Sequence, residues 1–334
     1  KRMGANQWME TAWQGLKNYA LNNLVAVGGD ADAAAAYASQ NLIADYAHKN
    51  IYDAADNALF DANGNLVANM LPGYADDLDW NDAIERTGHR QDYTLSGAVS
   101  GEKFSLYSSI GYLKEKGYIT ATDFKRFTGR LNAEYQPTSW LKTGVNLNAV
   151  GSKANYNDNA TGTYYANPFS SARFMAPIYA VHAHNADGSY QLDEMGNVMY
   201  DTTSSYLDNR NIAYELRADH QDRRRNVING NAFATVYFPY DFSLTVKGGV
   251  ENITQNSRHF NNQFIGDGAS NGGRLSQKST QVTDWTLGQF LNWQHSYGLH
   301  NIEALIGHEA TGYNYSGFSA MKLQQAIDGI EVLN

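Results

Sequence analysis

The sequence contains no cysteine and only five prolines among its 334 residues. The absence of cysteine excludes disulfide bonds, cysteine-ligated zinc sites and thiol nucleophiles. Charged residues make up only 18%, and a net charge of −9 provides no basic field to attract nucleic acid. No apolar run approaches the roughly 18 residues of a membrane-spanning helix. Membrane-crossing strands are not excluded, since their lipid-facing and lumen-facing side chains alternate.

Aromatic residues and glycine are abundant instead. Tyr, Phe and Trp account for 13% of the chain, and there are 30 glycines, a mixture typical of a turn-rich β protein. The chain begins at Lys1 with neither an initiator Met nor a basic and apolar leader. We therefore interpret it as mature protein or as a fragment.

The first fifty residues have a helical period. Trp8, Ala12 and Leu16 recur at a spacing of four residues, and a second periodic set follows the break at residues 28–30. This pattern predicts two short amphipathic helices near the N-terminus. Residues 51–79 are polar and irregular, and we expect an ordered loop there.

From about Gln91 the period changes from 3.6 to 2. Leu131 and Leu147 belong to alternating apolar positions in two adjacent segments that are joined by the turn at residues 136–139. Similar pairs follow as far as Tyr313. The pattern predicts eight strands in four antiparallel hairpins.

Short and long connections alternate along these strands. Each hairpin closes in a few residues, whereas the chain between hairpins runs through long segments such as 153–224. In an antiparallel sheet every short turn then lies at one end and every long loop at the other. This asymmetry is typical of an outer-membrane barrel with periplasmic turns and extracellular loops.

The alternation also assigns roles to individual side chains. Polar residues on the face opposite the apolar one are expected to line a wide, wet lumen, because they are costly to bury in a narrow dry core. Rings beside the short turns are expected at the membrane interface. The predicted lumen-facing residues are Arg130, Glu134, Lys142, Lys247, Glu251 and Glu303, and the predicted interface aromatics are Tyr135, Trp140, Phe238, Tyr240, Trp293 and Tyr297.

An ordered series of segments resembles one family. The series begins with Asp79-Trp-Asn-Asp-Ala-Ile-Glu-Arg-Thr-Gly88 and Tyr93-Thr-Leu-Ser-Gly-Ala-Val-Ser-Gly101. It continues with Tyr107-Ser-Ser-Ile-Gly-Tyr-Leu113, Phe124-Lys-Arg-Phe-Thr-Gly-Arg-Leu-Asn132 and Gln136-Pro-Thr-Ser-Trp-Leu-Lys-Thr-Gly144. Together they resemble the barrel of the SusC/RagA-type TonB-dependent outer-membrane transporters of Bacteroidetes. The resemblance is dense over residues 79–148 and thin in the helices and long loops.

This resemblance implies an all-β fold, namely an antiparallel transmembrane β-barrel in which about eight strands form part of a 22-stranded wall. It also implies a plug inside the barrel, TonB acting through that plug, a SusD-like surface lipoprotein, and oligosaccharide or peptide ligands. The chain has no plug and too few strands, so we expect part of a transporter. The expected division is a helical and irregular extracellular loop region at 1–90, barrel strands at 91–313, and the start of a further extracellular loop at 314–334.

Ligand contact is expected in the long loop 153–224. Its rings offer flat apolar faces beside Asn and Asp acceptors, which suits sugar rings or peptide side chains. The alternative is that the rings pack into a small core that keeps the loop ordered. The candidate ligand-binding residues are Tyr156, Tyr164, Tyr165, Phe169, Phe174 and Tyr179.

Catalytic and cofactor signatures are absent from the sequence, and we predict neither enzymatic activity nor a cofactor or metal. His182-Ala-His184 is the best metal candidate, but we interpret these side chains as solvated loop histidines. Residues 61–65 and 193–197 resemble calcium loops without the terminal Glu, and we interpret them as hairpin turns. The basic run Arg223-Arg-Arg225 could lie near lipopolysaccharide phosphates or pair with loop carboxylates.

The sequence as a whole predicts part of a TonB-dependent outer-membrane importer for glycans or peptides. Extracellular loops would bind the ligand and the barrel lumen would pass it. The alternative is a soluble secreted glycan-binding β-domain of a lectin or adhesin kind. The two differ in whether detergent is needed to extract the protein.

Overall fold

A computed structural model describes residues 3–156, 165–204, 206–207, 210–325 and 330–333. The helices are α1 (Ala5–Asn23), α2 (Ala31–Asn41), α3 (Trp80–Ile84), α4 (Pro168–Phe174) and α5 (Ile212–Ala218). The predicted N-terminal helices are α1 and α2, and a π-helical turn at Leu42–Ala47 continues α2. Asp30 caps α2 by accepting hydrogen bonds from two backbone amides of its first turn. None of the helices in these ranges is long and apolar enough to cross a membrane.

In the described ranges, eight strands form one antiparallel sheet in which sequence neighbours are also spatial neighbours. The strands are β1 (His89–Ser100), β2 (Phe104–Lys116), β3 (Asp123–Thr138), β4 (Leu141–Asn155), β5 (His220–Tyr237), β6 (Phe242–Asn261), β7 (Arg274–Tyr297) and β8 (His300–Leu323). This arrangement confirms the predicted number of strands and their antiparallel order.

The connections sort by length as the sequence predicts. Short turns join β1 to β2, β3 to β4, β5 to β6 and β7 to β8 at one end of the sheet. The longer connections, residues 117–122, 156–219 and 262–273, lie at the other end. Several strand boundaries extend beyond the predicted ones: β4 continues to Asn155, β5 begins at His220, and β8 continues to Leu323, beyond Tyr313. Near the long loops both faces carry polar residues, so the alternation that reveals a strand fades there.

Cross-strand register separates the sheet into two chemically different faces. Leu131 lies opposite Leu147 on one face, whereas Arg130 lies opposite Asn148 on the other. Large apolar side chains on the first face are exposed, including Leu95 at 71% and Ile306 at 74%. We call these the apolar face and the polar face. An exposed apolar face of this extent requires a nonaqueous neighbour.

The described chain divides into two compact units. The sheet unit comprises Arg86–Asp158, Asp219–Gln263 and Ser270–Asn334, and the loop unit comprises Lys1–Glu85, Asn159–Ala218 and Phe264–Ala269. The loop unit has an interior of its own. Its largest fully buried side chains include Trp13, Trp80, Met9, Leu42 and Ile51. Segments far apart in the sequence pack together within this unit, since α3 contacts both α4 and α5.

Candidate functional site: the polar face and the loop surface

The six predicted lumen-facing residues all lie on the polar face. The cross-strand register gives the neighbours of each residue on this face. For example, Glu134 lies opposite Gly144, and Glu251 lies opposite Asn229. Lys142 Nζ lies 2.9 Å from Glu134 Oε2, and Asn229 Nδ2 donates to Glu251 Oε2 at 3.1 Å. The other members of the set are Arg130, Lys247 and Glu303. This face is a continuous array of charged groups and amides.

Uncharged polar residues fill the positions between these charges. Asn146 Nδ2 donates to Asn231 Oδ1 at 2.9 Å, and the Thr235 and Thr245 hydroxyls are 2.9 Å apart. Lys247 places its ammonium 4.5 Å from the centre of the Phe290 ring. A surface of amides, hydroxyls and mixed charges offers many hydrogen bonds and no strong selectivity for one charge sign.

The predicted interface aromatics lie at the short-turn end of the sheet. Trp293 on the apolar face donates from Nε1 to the Tyr240 carbonyl at 3.1 Å, and its ring centre is 6.3 Å from that of Phe242. Tyr240 is 87% exposed in a turn where its φ is +66°. The remaining members, Tyr135, Trp140, Phe238 and Tyr297, are each about half exposed. Exposed rings at the ends of apolar strands suit a membrane interface.

Five of the six predicted ligand-contact residues fall into three groups. Tyr165, Phe169 and Phe174 lie in the loop unit and are each about 40% exposed. Tyr156 lies in the sheet unit, where the Arg223 guanidinium stacks 4.6 Å from its ring centre and donates to its hydroxyl at 3.1 Å. Tyr164 falls outside the described residues.

Tyr179 occupies a different environment from the other candidates. It is 4% exposed, its hydroxyl donates to the Ala47 carbonyl at 2.7 Å, and its ring stacks on Tyr206 at 4.7 Å. Burial raises the pKa of Tyr179 to about 12, with a smaller contribution from Tyr206. The assignment of Tyr179 to ligand contact is therefore corrected, because this ring packs inside the loop unit.

The interpretation of His182 and His184 as solvated loop histidines is also corrected. Asp77 accepts hydrogen bonds from His182 N at 2.8 Å, and its oxygens lie 2.6 Å from His182 Nδ1 and 2.9 Å from His184 Nε2. The His184 side chain is fully buried, and its Nδ1 lies 2.8 Å from the Gly188 carbonyl oxygen. Both nitrogens of His184 therefore face oxygen acceptors. The cluster fastens residues 182–184 to residue 77 inside the loop unit.

The pKa of Asp77 reflects this network. Burial alone would raise the pKa, but hydrogen bonds from His182 and His184 outweigh it and hold the pKa below its ordinary value. Among the described residues, no group of three or more His, Asp or Glu side chains is arranged to hold a metal ion.

The two calcium-like segments form hairpin turns. Asp61 accepts hydrogen bonds from the backbone amides of Asn63 and Asn65, and Asp193 accepts them from Met195 and Asn197. Amide donors, led in each case by the Asn side chain, lower the pKa of Asp61 and of Asp193. A third turn at residues 185–189 has the same backbone hydrogen bonds. These carboxylates close Asx turns within the loops.

Sequence reasoning missed one concave surface of the loop unit. A groove of about 810 Å³ lies beside α1, and Trp8, Tyr19, Tyr37 and Tyr46 line it with Asp45 as the charged group. The ring centres of Trp8 and Tyr46 are 6.0 Å apart, and the Tyr37 hydroxyl donates to Asp45 at 3.1 Å. Trp8 and Tyr19 lie about three helical turns apart and so fall on the same side of α1. This spacing in the sequence could have indicated an aromatic surface there. The groove combines flat apolar walls with hydroxyl groups and one carboxylate, a composition typical of ligand pockets.

An antiparallel sheet with one apolar face, one polar face and all its short turns at one end defines the wall of an outer-membrane β-barrel. The chain is 26% identical to the TonB-dependent receptor P3 of Formosa agariphila over 253 residues, which are 74% of this chain and 23% of that receptor. No protein-family profile matches the chain.

Solved structures with the same fold include the RagAB peptide importer in its closed-closed and open-open states and the RagAB peptide transporter. Their TM-scores are 0.63, 0.63 and 0.64 at 19%, 18% and 19% identity, over 99% of this chain and 34% of theirs. The chain thus spans about a quarter to a third of the length of the proteins it matches. The predicted resemblance to SusC/RagA-type TonB-dependent outer-membrane transporters is confirmed, because the curated relative is a TonB-dependent receptor and the RagAB structures share the fold of this chain.

Proposed function

We propose that this chain forms part of the barrel wall and the extracellular loops of an importer for glycans or peptides. The observation that carries the proposal is the division of one eight-stranded sheet into an exposed apolar face and a charged, amide-rich polar face. A wall between lipid and a water-filled lumen needs this division, whereas a soluble domain would bury its apolar face. The named relatives, a TonB-dependent receptor and peptide importers, support the same function.

The loop unit offers candidate surfaces for ligand contact. The exposed rings of Tyr165, Phe169 and Phe174 and the groove beside α1 offer stacking surfaces for sugar rings or apolar peptide side chains. The polar face, with Glu134 and Lys142 among its charges, would line the lumen through which ligand passes. Mixed charge and abundant amides suit passage of hydrated ligands without tight binding.

The expected partners are those that the family resemblance implies. A SusD-like surface lipoprotein would cover the extracellular mouth, as the paired name RagAB suggests for the structural relatives. TonB would supply energy through the plug. Function in this scheme depends on binding and gated passage, and it requires no catalytic residue.

Uptake measurements in a strain that lacks the gene test this proposal. Deletion should abolish growth or uptake on either defined oligopeptides or defined oligosaccharides, and re-expression of the natural full-length protein should restore it. Dissipating the proton-motive force should stop uptake in the restored strain. Unchanged uptake of both ligand classes after deletion, or protein recovered in buffer without detergent, would contradict the proposal.

A further inference from the structure

The apolar face carries a row of four basic side chains that runs directly across four strands. Lys114 of β2 lies opposite Lys125 of β3, Lys125 lies opposite Lys153 of β4, and Lys153 lies opposite Arg224 of β5. Lys125 is two residues from Phe127, and Lys153 is six residues from Leu147, so both point to the apolar face. We call these four residues the basic row.

Such a row is unfavourable without a counterion. Like charges directly opposite each other on neighbouring strands repel, and cross-strand side chains are only about 5 Å apart at their β-carbons. Within the described ranges, none of the four side chains forms an ion pair with a carboxylate. On the polar face, by contrast, Lys142 lies 2.9 Å from Glu134. Asp123 and Asp222 lie in the adjacent row of the same face, but within the described ranges neither forms an ion pair with the basic row, and its four cations outnumber them. An anion from outside the chain would relieve the remaining repulsion.

The position of the row along the strands points to the source of that anion. The next row toward the short turns on the same face has Tyr93, Tyr112 and Phe127 on β1 to β3, which are 62%, 41% and 56% exposed, and continues with Gly151 and Asn226 on β4 and β5. The basic row follows immediately on the side of the long connections. In a membrane protein, apolar strand residues contact the acyl chains, aromatic rings lie at the interface, and cations lie beside the anionic headgroups. The apolar face follows this order toward the long connections.

A cavity adjoins the end of the basic row. It has a volume of about 400 Å³, and its lining includes Lys153, Arg224, Asn256, Arg258 and Phe318. Arg258 also contacts Glu331. Asp222 contributes a carboxylate to the same lining. The cavity thus offers cations and an amide beside an apolar ring, a combination that suits a phosphorylated headgroup attached to an apolar body.

We propose that the basic row and this cavity bind the phosphate groups of a glycolipid in the outer leaflet. Lysine ammonium groups hold phosphate as point charges, and the Arg224 guanidinium can hold two phosphate oxygens at once. Bound phosphates neutralise the repulsion along the row. The site binds membrane lipid on the outer side of the barrel wall. It is separate from the path proposed for the imported ligand.

Lipid retention by the natural full-length protein, purified in detergent, tests the proposal. Mixed micelles would contain diphosphoryl lipid A or its dephosphorylated form, and bound lipid would be counted by native mass spectrometry. The variant K114Q/K125Q/K153Q/R224Q should retain at least about tenfold less diphosphoryl lipid A, since each basic group near an anionic lipid surface contributes about fivefold. The native protein should retain the dephosphorylated lipid poorly.

Two control variants distinguish lipid binding at this site from a general effect of protein charge and from misfolding. R126Q/R130Q/R225Q/K247Q removes four cations from the polar face, none of which lines the cavity, and should retain lipid A normally. K114R/K125R/K153R/R224K keeps the charge of the row and should also retain it. Normal retention by the first glutamine variant, or equal loss in the polar-face variant, would overturn the proposal. Complete displacement of lipid by millimolar inorganic phosphate would assign the row to free phosphate and overturn the glycolipid assignment.

Discussion

At the scale of single residues, Asp77 shows how one buried carboxylate organises a long loop. It is 5% exposed and contacts both His182 and His184, which are more than one hundred positions away in the sequence. The same loop unit holds Arg210 between Glu215 and Asp267, with Nη1 2.8 Å from Asp267 Oδ1. Buried charges of this kind are costly unless each one is paired, so their removal should affect the loop unit strongly.

Asp77→Asn should destabilise the loop unit by about 2–4 kcal/mol, because the amide has one accepting oxygen where the carboxylate has two and carries no charge to balance the buried histidine donors. Hydrogen exchange at residues 178–184 measures the change. Asp76→Asn alters the exposed neighbouring carboxylate and should change exchange by less than about 0.5 kcal/mol. Equal exchange in the two variants would contradict a special role for Asp77.

The same carboxylate predicts a pH dependence. The folded-state pKa of Asp77 is lower than its ordinary value of 3.8, so its stabilising contribution is complete above that value. It is lost as the pH falls through the lower folded-state pKa. Protection of residues 178–184 should therefore decline on acidification below about pH 4 in the native protein. In Asp77→Asn the decline should be smaller, and an identical decline would contradict the assignment.

Gly266 provides a second prediction with an internal control. Its φ is +72°, and a β-carbon added there would lie 2.5 Å from Glu215 Oε2, which Arg210 holds. Gly266→Ala should therefore cost about 2–4 kcal/mol, the sum of backbone strain and a disturbed buried ion pair. Gly196→Ala has a similar φ of +83° but open space around the added carbon, and should cost about 1 kcal/mol. Proteolysis rates of the loop unit compare the two variants, and equal rates would contradict the role of the ion pair.

Some of these residue contacts were outside the reach of sequence reasoning. The spacing of His182 and His184 suggests two rings on one side of a strand, but nothing in the local pattern identifies Asp77 as their partner. Tyr179 has the same local appearance as Tyr165, although one is buried and the other is exposed. Burial depends on which distant segments share the core, and this information is not contained in local spacing.

At the scale of elements, the strands were predictable where one face meets lipid and the other meets water. The alternation in β3 and β4 identifies both strands and their register within the hairpin. It fades at the start of β5, where Arg223, Arg224 and Arg225 are consecutive and polar residues occupy both faces. The basic row was missed for a related reason, because it becomes visible only when the registers of four strands are joined.

The groove beside α1 yields a prediction at this scale. Gly15 lies in its lining, and a β-carbon there would have nothing within 4 Å. Gly15→Leu and Gly15→Ala should both stabilise α1 by about 1 kcal/mol, since glycine is a poor helix former and this position of the helix is exposed. Only leucine would fill the groove.

Transport assays distinguish the two Gly15 variants. If the groove contacts ligand, Gly15→Leu should lower ligand affinity by about tenfold, which corresponds to about 1.4 kcal/mol, while Gly15→Ala should retain it. Surface abundance should be equal in both variants. Unchanged affinity with leucine would remove the groove from the ligand path and leave the exposed rings of residues 165–174 as the remaining candidates.

At the scale of the whole molecule, the proposed function depends on which face of the sheet meets water. The absence of cysteine makes this directly measurable, because every introduced thiol is the only one in this sequence. Single substitutions Arg130→Cys, Asn132→Cys and Glu134→Cys probe the polar face of β3. Leu131→Cys and Ala133→Cys probe the apolar face between them.

A membrane-impermeant maleimide added to intact outer membranes should label the even positions at least about tenfold faster than the odd ones, because thiolate formation requires contact with water. The same five variants dissolved in denaturant should label equally, which controls for intrinsic reactivity. Glu134→Cys should label fastest when Lys142 is present, since a nearby cation favours the thiolate. Equal labelling of both faces in the membrane would indicate a sheet surrounded by water, and faster labelling of the odd positions would place the apolar face toward the lumen; either result would contradict a barrel wall with the polar face inward.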